Sequence, residues 1–379
     1  MTELAQGGRR SQGRSYGGPG KYIQCAGEIE RLGDHVKTLC NTIFVLVDRF
    51  VFDKMGENIT RLLLASGLNA KIEAFGGECC EEEIARITDL ARAFKADVIV
   101  GIGGGKTADT AKLAAIATHA RIVIVPTIAS TDAPCSAIAV RYNVHGVYQE
   151  AIFLPRNPDI VIVDSAIVAG APVRFLVAGI GDALSTWFEA RSNLDSSSNN
   201  LIQPRMAPPA AGIAIAKACH DVLMRDALSA KLAVEKGALT QAVENIIEAN
   251  TLLSGLGFEN CGVSAAHGIH DGLTVLDETH GFFHGEKVAF GVLCLLMLEG
   301  RPLAEIEDMA RFCRSVGLPT TLADLNLRGA TIDDIGRVAA AALLPGSPTW
   351  KVAVPLSVVI VRDAILALDA FTSRFAAQS

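Results

Sequence analysis

Four of the eight histidines in this 379-residue chain, His267, His270, His280 and His284, fall between residues 267 and 284. Clustered imidazoles point to metal chemistry. Zinc and similar cations take His and carboxylate ligands, and a catalytic site uses about three protein ligands with one position open for water or substrate. Spacing leaves several triplets open, because His267 with Asp271, and His280 with His284, each stand one helical turn apart. A carboxylate from outside the cluster is also needed, and Asp182 in GIGDALSTWFEA (179–190) is the candidate. Its ordinary reading is an N-cap at the start of a helix, although Ser185 at the third position after it gives no capping box.

A second kind of chemistry is written in DVIVGIGGGKTADTAK (97–112): a strand, then Gly101, Gly103, Gly104 and Gly105, then a helix expected to start near Thr107. Glycines let the backbone approach a phosphate closely, and a helix N-terminus presents unpaired N–H groups with partial positive charge. Lys106 adds a point charge. Neither standard fingerprint fits, since Val100 stands where a Walker A loop has its first Gly and Lys106 where G-x-G-x-x-G has its third. Asp48 ends the first strong strand, where a carboxylate accepts hydrogen bonds from ribose hydroxyls and repels a 2′-phosphate, which favours NAD over NADP. Its plainer reading is a solvated acid at a strand end. PTIASTDAPCS (126–136) follows a strand at the edge where open α/β sheets bind ligands, and it crowds hydroxyls around Asp132; the alternative there is an Asx or Ser/Thr turn.

The elements that position these residues divide the chain in two. TIFVLV (42–47), DVIV (97–100), RIVIV (121–125) and DIVIV (159–163) read as strands buried on both faces of a parallel sheet, with helices over 52–66 and 81–95 between them. Repeated β-α-β units of this kind give a doubly wound α/β domain. Beyond Pro172 the β-branched runs thin out and Ala, Leu and Glu dominate, as in 211–228, 232–253 and 305–316, so a helical domain follows. The expected organisation is a leader lacking regular structure over 1–20, an α/β NAD-binding domain over 21–172 and an all-α metal-binding domain over 173–379.

Composition excludes other classes. Half the residues are hydrophobic, one fifth are charged and the mean hydropathy is +0.33, too apolar for a disordered chain. With 34 Lys and Arg against 41 Asp and Glu the net charge is −7, and no basic block offers a track for nucleic acid. Nine cysteines without a C-x-x-C pair disfavour a disulfide framework, and the Gly/Ser/Arg-rich leader lacks the apolar run of a secretory signal. No apolar run reaches the roughly 20 residues of a membrane span. The expectation is a soluble cytoplasmic protein.

Taken in order, GIGGGKTADTAK, PTIASTDAPCSA, GIGDALSTWFEA, and SAAHGIHDGLT followed by HGEKVAFG resemble the glycerol dehydrogenase group of the metal-dependent, "iron-containing" alcohol dehydrogenase superfamily. The resemblance runs over nearly the whole chain from about Gly17. It implies a dehydroquinate synthase-like fold and a homo-oligomer. It also implies Asp182, His267 and His284 as metal ligands, with His270 and His280 in supporting roles. Asp48, Gly105, Lys106, Asp109, Thr127, Ser130, Ser136, Ile138 and Tyr142 match the family's NAD-contacting positions, and Asp132 matches a glycerol-contacting one. Iron-type relatives carry another His four residues after the Asp, where this chain has Thr186, so zinc is expected. Two departures are Arg141, where these enzymes usually have an aliphatic residue, and the leader. Dehydroquinate synthase itself has Glu as first ligand and a set of Lys and Arg for its charged substrate, which this chain lacks.

The resemblance implies NAD-dependent oxidation of glycerol to dihydroxyacetone, and of related vicinal diols, through a metal-bound alkoxide and hydride transfer. A related enzyme acting on a hydroxy acid or hydroxy ketone, with Arg141 pairing a carboxylate, is the alternative. A non-catalytic nucleotide-binding protein would keep the glycine loop without the metal.

Overall fold

Runs of Val and Ile long enough to be covered on both faces become strands with helices above and below. A computed structural model describes residues 13–376 and contains eight strands among them. They are β1 (Lys21–Cys25), β2 (Thr42–Val47), β3 (Asn69–Ala74), β4 (Val98–Gly103), β5 (Arg121–Pro126), β6 (Ile138–Tyr142), β7 (Tyr148–Phe153) and β8 (Ile160–Asp164). Six form one parallel sheet in the order β1-β8-β5-β4-β2-β3, while β6 and β7 make a separate antiparallel hairpin. The expected strands are β2, β4, β5 and β8. β1 and β3 lie at the sheet's edges and lack a continuous apolar run, so they and the hairpin carry no comparable signal in the sequence.

Alternation along the strands assigns the faces. Ile43, Val45 and Val47 of β2 join Val51, Ile59 and Leu63 of the helix Arg49–Ala65 on one side. Phe44 and Leu46 face the other side, with Ala108, Ala111 and Ala115 of the helix Gly105–Thr118. The helices after β2 and after β4 therefore leave neighbouring strands toward opposite faces. That divergence opens a crevice at the strands' C-terminal ends, the place where open α/β sheets bind ligands. Gly101 permits the tight strand-to-helix packing there, since a Cβ on it would lie 2.7 Å from Ala111 Cβ.

After β8 the chain is helical. The helix Val173–Asp195 is followed by Ala210–Glu235, Gln241–Glu248, Ser254–Cys261, Ala265–Leu273, His284–Leu298, Leu303–Val316, Ile332–Ala341 and Val358–Ala376. Their core is continuous with one face of the sheet, from Phe44 and Ile99 through Ile180 and Leu223 to Phe290 and Ile365. The Ala-, Leu- and Glu-rich stretch 232–253 is shared between helices: Gly237, at φ 67°, ends the helix from Ala210, and a new helix starts at Gln241. Of the expected leader, residues 1–12 lie outside the described residues, but 13–20 are held in place. Ser15 hydrogen-bonds Asn200, and both backbone polar groups of Gly17 bond the Asn260 side chain. All nine cysteines are free, and no helix among the described residues is long and apolar enough to cross a membrane.

Candidate active site

Asp182 is not a cap. It sits in the middle of the helix Val173–Asp195, 1 % exposed, directly after Gly179, Ile180 and Gly181. Those glycines explain how a carboxylate in a helix interior reaches two histidines on other helices. A Cβ on Gly181 would collide with the carbonyl of Gly285, one on Gly285 with the carbonyl of Ala178, and one on Gly291 with the carbonyl of Ala266. Side-chain-free contacts let the helices Val173–Asp195, Ala265–Leu273 and His284–Leu298 cross nearly backbone to backbone, with Asp182, His267 and His284 at the crossing.

The ligand atoms of these three residues all lie within 4.8 Å of one another, and theirs is the cluster among the described residues suited to a metal. Asp182 Oδ1 is 3.2 Å from His284 Nε2 and 3.8 Å from His267 Nε2. It is buried without a hydrogen-bond partner. A sealed carboxylate oxygen with no donor is costly, and a cation between it and the two imidazoles removes the cost. The residues present therefore fit a divalent metal.

Each imidazole is oriented from behind. His267 Nδ1 lies 2.7 Å from Glu189 Oε2, and Glu189 Oε1 also accepts the backbone N–H groups of Ser264 and His267. His284 Nδ1 lies 3.0 Å from His270 Nε2, and His270 Nδ1 lies 2.9 Å from Asp271 Oδ1. Both outer contacts engage Nδ1 and leave Nε2 facing Asp182, the arrangement that fixes a ligating tautomer. Burial works to lower the His267 pKa, but Glu189, with Asp182 and Asp132, raises it to about 10 in the metal-free protein. Burial and the neighbouring His284 lower His270 to about 3. His280 stands apart, exposed, with Nε2 near the Thr274 carbonyl, and so has no part in the cluster.

Asp132 joins the sheet to this cluster. It lies in the loop after β5; its N–H donates to Asp182 Oδ2 at 3.2 Å, and its Oδ2 accepts from Ser254 Oγ at 2.8 Å. Burial and the adjacent Asp182 charge push its carboxyl well above the usual range. Thr186, one turn after Asp182, turns its hydroxyl to Ser254 Oγ at 2.8 Å.

The remaining predicted residues gather at the sheet's C-terminal edge with differing surroundings. Asp48 caps the helix Arg49–Ala65 by accepting the Phe50 N–H. Gly105 opens the helix after β4, where a Cβ would meet only Thr131 Oγ1, at 3.6 Å, so packing does not demand the glycine. Lys106 pairs with Glu78 Oε2 at 2.6 Å and sits 5.1 Å above the Tyr142 ring. Thr127 and Ser136 are buried in the β5 loop, where Ser130 is half-buried; the Thr127 N–H donates to Gly103 and Ser136 Oγ to Ala133. Ile138 begins the hairpin and offers its carbonyl to Lys112. Asp109 is buried, with Oδ2 accepting the Val140 N–H and Oδ1 3.6 Å from Lys112 Nζ. Its carboxylate holds the hairpin.

A profile of the iron-containing alcohol dehydrogenases matches residues 19–165. A curated glycerol dehydrogenase of Thermotoga maritima is 50% identical over 85% of this chain and 87% of its own. A solved structure of a probable glycerol dehydrogenase from Sinorhizobium meliloti is 64% identical, with a TM-score of 0.90 over 95% of this chain and 99% of its own. This chain belongs to the glycerol dehydrogenase group of the iron-containing alcohol dehydrogenases. The glycerol dehydrogenase of Schizosaccharomyces pombe, 37% identical, superposes with a TM-score of 0.93 over 97% of this chain and 93% of its own. As a member of that group the protein is an oxidoreductase, and its family implies a metal and NAD(H).

Within this iron-containing alcohol dehydrogenase framework, Glu189, Ser254 and Glu78 join the residues expected from the sequence. Asp182, Thr186 and Glu189 recur at i, i+4 and i+7, a spacing that puts them on one face of a helix and could have exposed Glu189. Ser254 has no such signal, because its partner lies 122 residues away.

Proposed function

We propose that this glycerol dehydrogenase relative oxidises glycerol to dihydroxyacetone with NAD as hydride acceptor, and acts on related vicinal diols. The observation that carries the reading is the orphaned Asp182 Oδ1 facing two imidazoles while Asp182 Oδ2 is hooked to the loop of Asp132. Asp182, His267 and His284 would hold one metal. Three donors with Thr186 turned away to Ser254 suit zinc with an open position better than an iron site needing a further His.

When bound, the metal supplies a Lewis acid that acidifies an alcohol, and NAD supplies the acceptor for hydride. The protein's own contribution is placement. Asp132 Oδ2 is taken by Ser254, so Oδ1 is the oxygen that accepts a substrate hydroxyl. The start of the helix at Gly105 offers backbone N–H groups to a pyrophosphate, with Lys106 beside it and Asp48 at the ribose. Thr127, Ser130, Ser136, Ile138 and Tyr142 would line the rest of the cofactor, and Asp109 would serve it by holding the hairpin that carries Tyr142.

A hydroxy-acid substrate is disfavoured by two observations. Arg141 is occupied by Glu150 at 2.5 Å and Glu81 at 3.7 Å, and a carboxylate entering the site would meet Asp132 and Asp182. The reading includes a cytoplasmic location, in keeping with nine free cysteines, and a homo-oligomer, as the family resemblance implies. The test is NADH formation with glycerol, 1,2-propanediol, ethanol and 2-hydroxybutyrate, before and after chelation and with zinc restored. Diol oxidation lost on chelation and regained with zinc is expected; oxidation of the hydroxy acid alone overturns the substrate assignment.

A further inference from the structure

We infer that Ser254 is a positioning residue that decides which oxygen of Asp132 meets the polyol. The inference rests on the proposed role of Asp132 and extends it to a residue outside the cofactor and metal contacts.

Ser254 follows one turn of π-helix, Ala249–Leu253, set between the helices Gln241–Glu248 and Ser254–Cys261. Such turns insert an extra residue into a helix and occur often at functional sites. Here the turn aims two side chains at the Asp132 loop. Asn250 Nδ2 donates to the carbonyls of Ala129 at 3.0 Å and Leu176 at 3.1 Å, pinning the start of the loop to the helix that carries Asp182. Four residues on, the buried Ser254 hydroxyl donates to Asp132 Oδ2. A hydroxyl has one proton, so with that proton given to the carboxylate Ser254 can only accept from Thr186, which sets the direction of the Thr186–Ser254–Asp132 chain.

The surroundings hold the hydroxyl in place. A Cβ on Gly255 would lie 3.0 Å from both the Asp132 carbonyl and Cys135 Cβ, and one on Gly257 would strike Thr186 Cγ2. A carboxylate turns easily about its last torsion, which has a broad two-fold profile. The bond from Ser254 to Oδ2 stops that turning and leaves Oδ1 for the substrate, while the Asp132 N–H bonded to Asp182 fixes the backbone from which the carboxylate hangs. The occupant this selects is a hydroxyl donor, as in a polyol.

The test is a double-mutant cycle on the zinc-loaded enzyme, reading kcat/KM for glycerol and bound zinc. Ser254→Ala is expected to lower kcat/KM by about 10-fold with zinc content unchanged, and to cause no further loss in Asp132→Ala. Wild-type kcat/KM in Ser254→Ala, or a loss that multiplies with that of Asp132→Ala, overturns the proposal. Should Ser254→Ala fail to fold, the near-isosteric Thr186→Val takes its place. It is expected to lose about 3-fold, again only when Asp132 is present, and independent loss overturns the proposal. If Asp132→Ala alone leaves kcat/KM intact, the polyol role of Asp132 falls and the Ser254 proposal with it. If Asp132→Ala is impaired and Ser254→Ala is not, only the Ser254 proposal falls.

Discussion

The backbone N–H of Asp132 donates to Oδ2 of Asp182 across fifty residues of chain, so the loop after β5 and the metal helix share one hydrogen bond. The other oxygen of Asp182 is the one that faces His267 and His284. One carboxylate thus divides its two oxygens between the sheet domain's loop and the candidate metal. Close packing maintains this join, since a Cβ on Gly179 would strike the carbonyl of Ala129 in the same loop. A displacement of the metal helix is therefore transmitted to the candidate substrate-binding side chain.

Glu189 should control metal affinity without touching the metal. It contacts His267 Nδ1 at 2.7 Å and accepts two backbone N–H groups, so Glu189→Gln keeps the shape and removes the charge behind the ligand. Outer-shell changes of this kind cost about 10- to 100-fold in metal affinity. Zinc competition against a fluorescent chelator measures it, and an unchanged dissociation constant would count against the assignment of His267 as a ligand.

The metal-free protein should lose stability as pH rises from about 6.5 to about 10. His267 has an ordinary pKa of 6.5; burial works to lower it further, yet Glu189 and its acidic neighbours raise it to about 10 in the fold. A group whose folded pKa is raised contributes stability in full below its unfolded value and loses it as pH climbs through the folded one. Metal takes the place of that proton, so zinc uptake should release a proton within the same window. Urea midpoints of the apoprotein across this range, with Glu189→Gln as control, check the sign. A profile identical in both proteins rules the effect out.

Much of the scaffold was legible because the strands that matter most are buried on both faces. TIFVLV and DIVIV announce themselves, whereas the edge strand NAKIEA alternates too weakly to be seen. Asp182 was harder. An aspartate after glycines reads locally as a cap, and only the crossing of three helices, with a Cβ forbidden at Gly181 and Gly285, places it in a helix interior facing two imidazoles. The histidine cluster narrowed the choice without settling it, because His270 and His284 meet through a turn whose path no periodicity predicts. The bond between Ser254 and Asp132 was beyond reach, since it depends on how the π-helical segment packs against a distant loop.

Lys112 should be a stability determinant that also shapes the cofactor crevice. Its side chain is fully buried, with Nζ donating to the carbonyls of Ala133 at 2.7 Å and Ile138 at 2.9 Å beside Asp109. Lys112→Met leaves a buried carboxylate without its cation, which costs about 3–5 kcal/mol. Urea unfolding measures the loss. Adding Asp109→Asn to Lys112→Met should recover part of it, because the uncompensated charge is gone, and strictly additive losses would show that the two residues act separately.

Glu78 should weaken NAD binding by competing for Lys106. The two side chains meet at 2.6 Å, and Lys106 is about half exposed at the mouth of the crevice, beneath the hairpin turn at Gly146 and over the Tyr142 ring. An exposed pair of this kind contributes only about 0–1 kcal/mol, so a phosphate arriving at the helix start at Gly105 can displace the carboxylate at small cost. Glu78→Gln frees the ammonium in advance and should tighten NAD by up to about 5-fold, while Lys106→Ala should weaken it and abolish the effect of Glu78→Gln. Titration of NAD by intrinsic fluorescence or calorimetry at low salt reads both constants. Equal affinities in wild type and Glu78→Gln would mean that Lys106 does not meet the cofactor's phosphates, and the anion cradle would then consist of the backbone at Gly104–Gly105 alone.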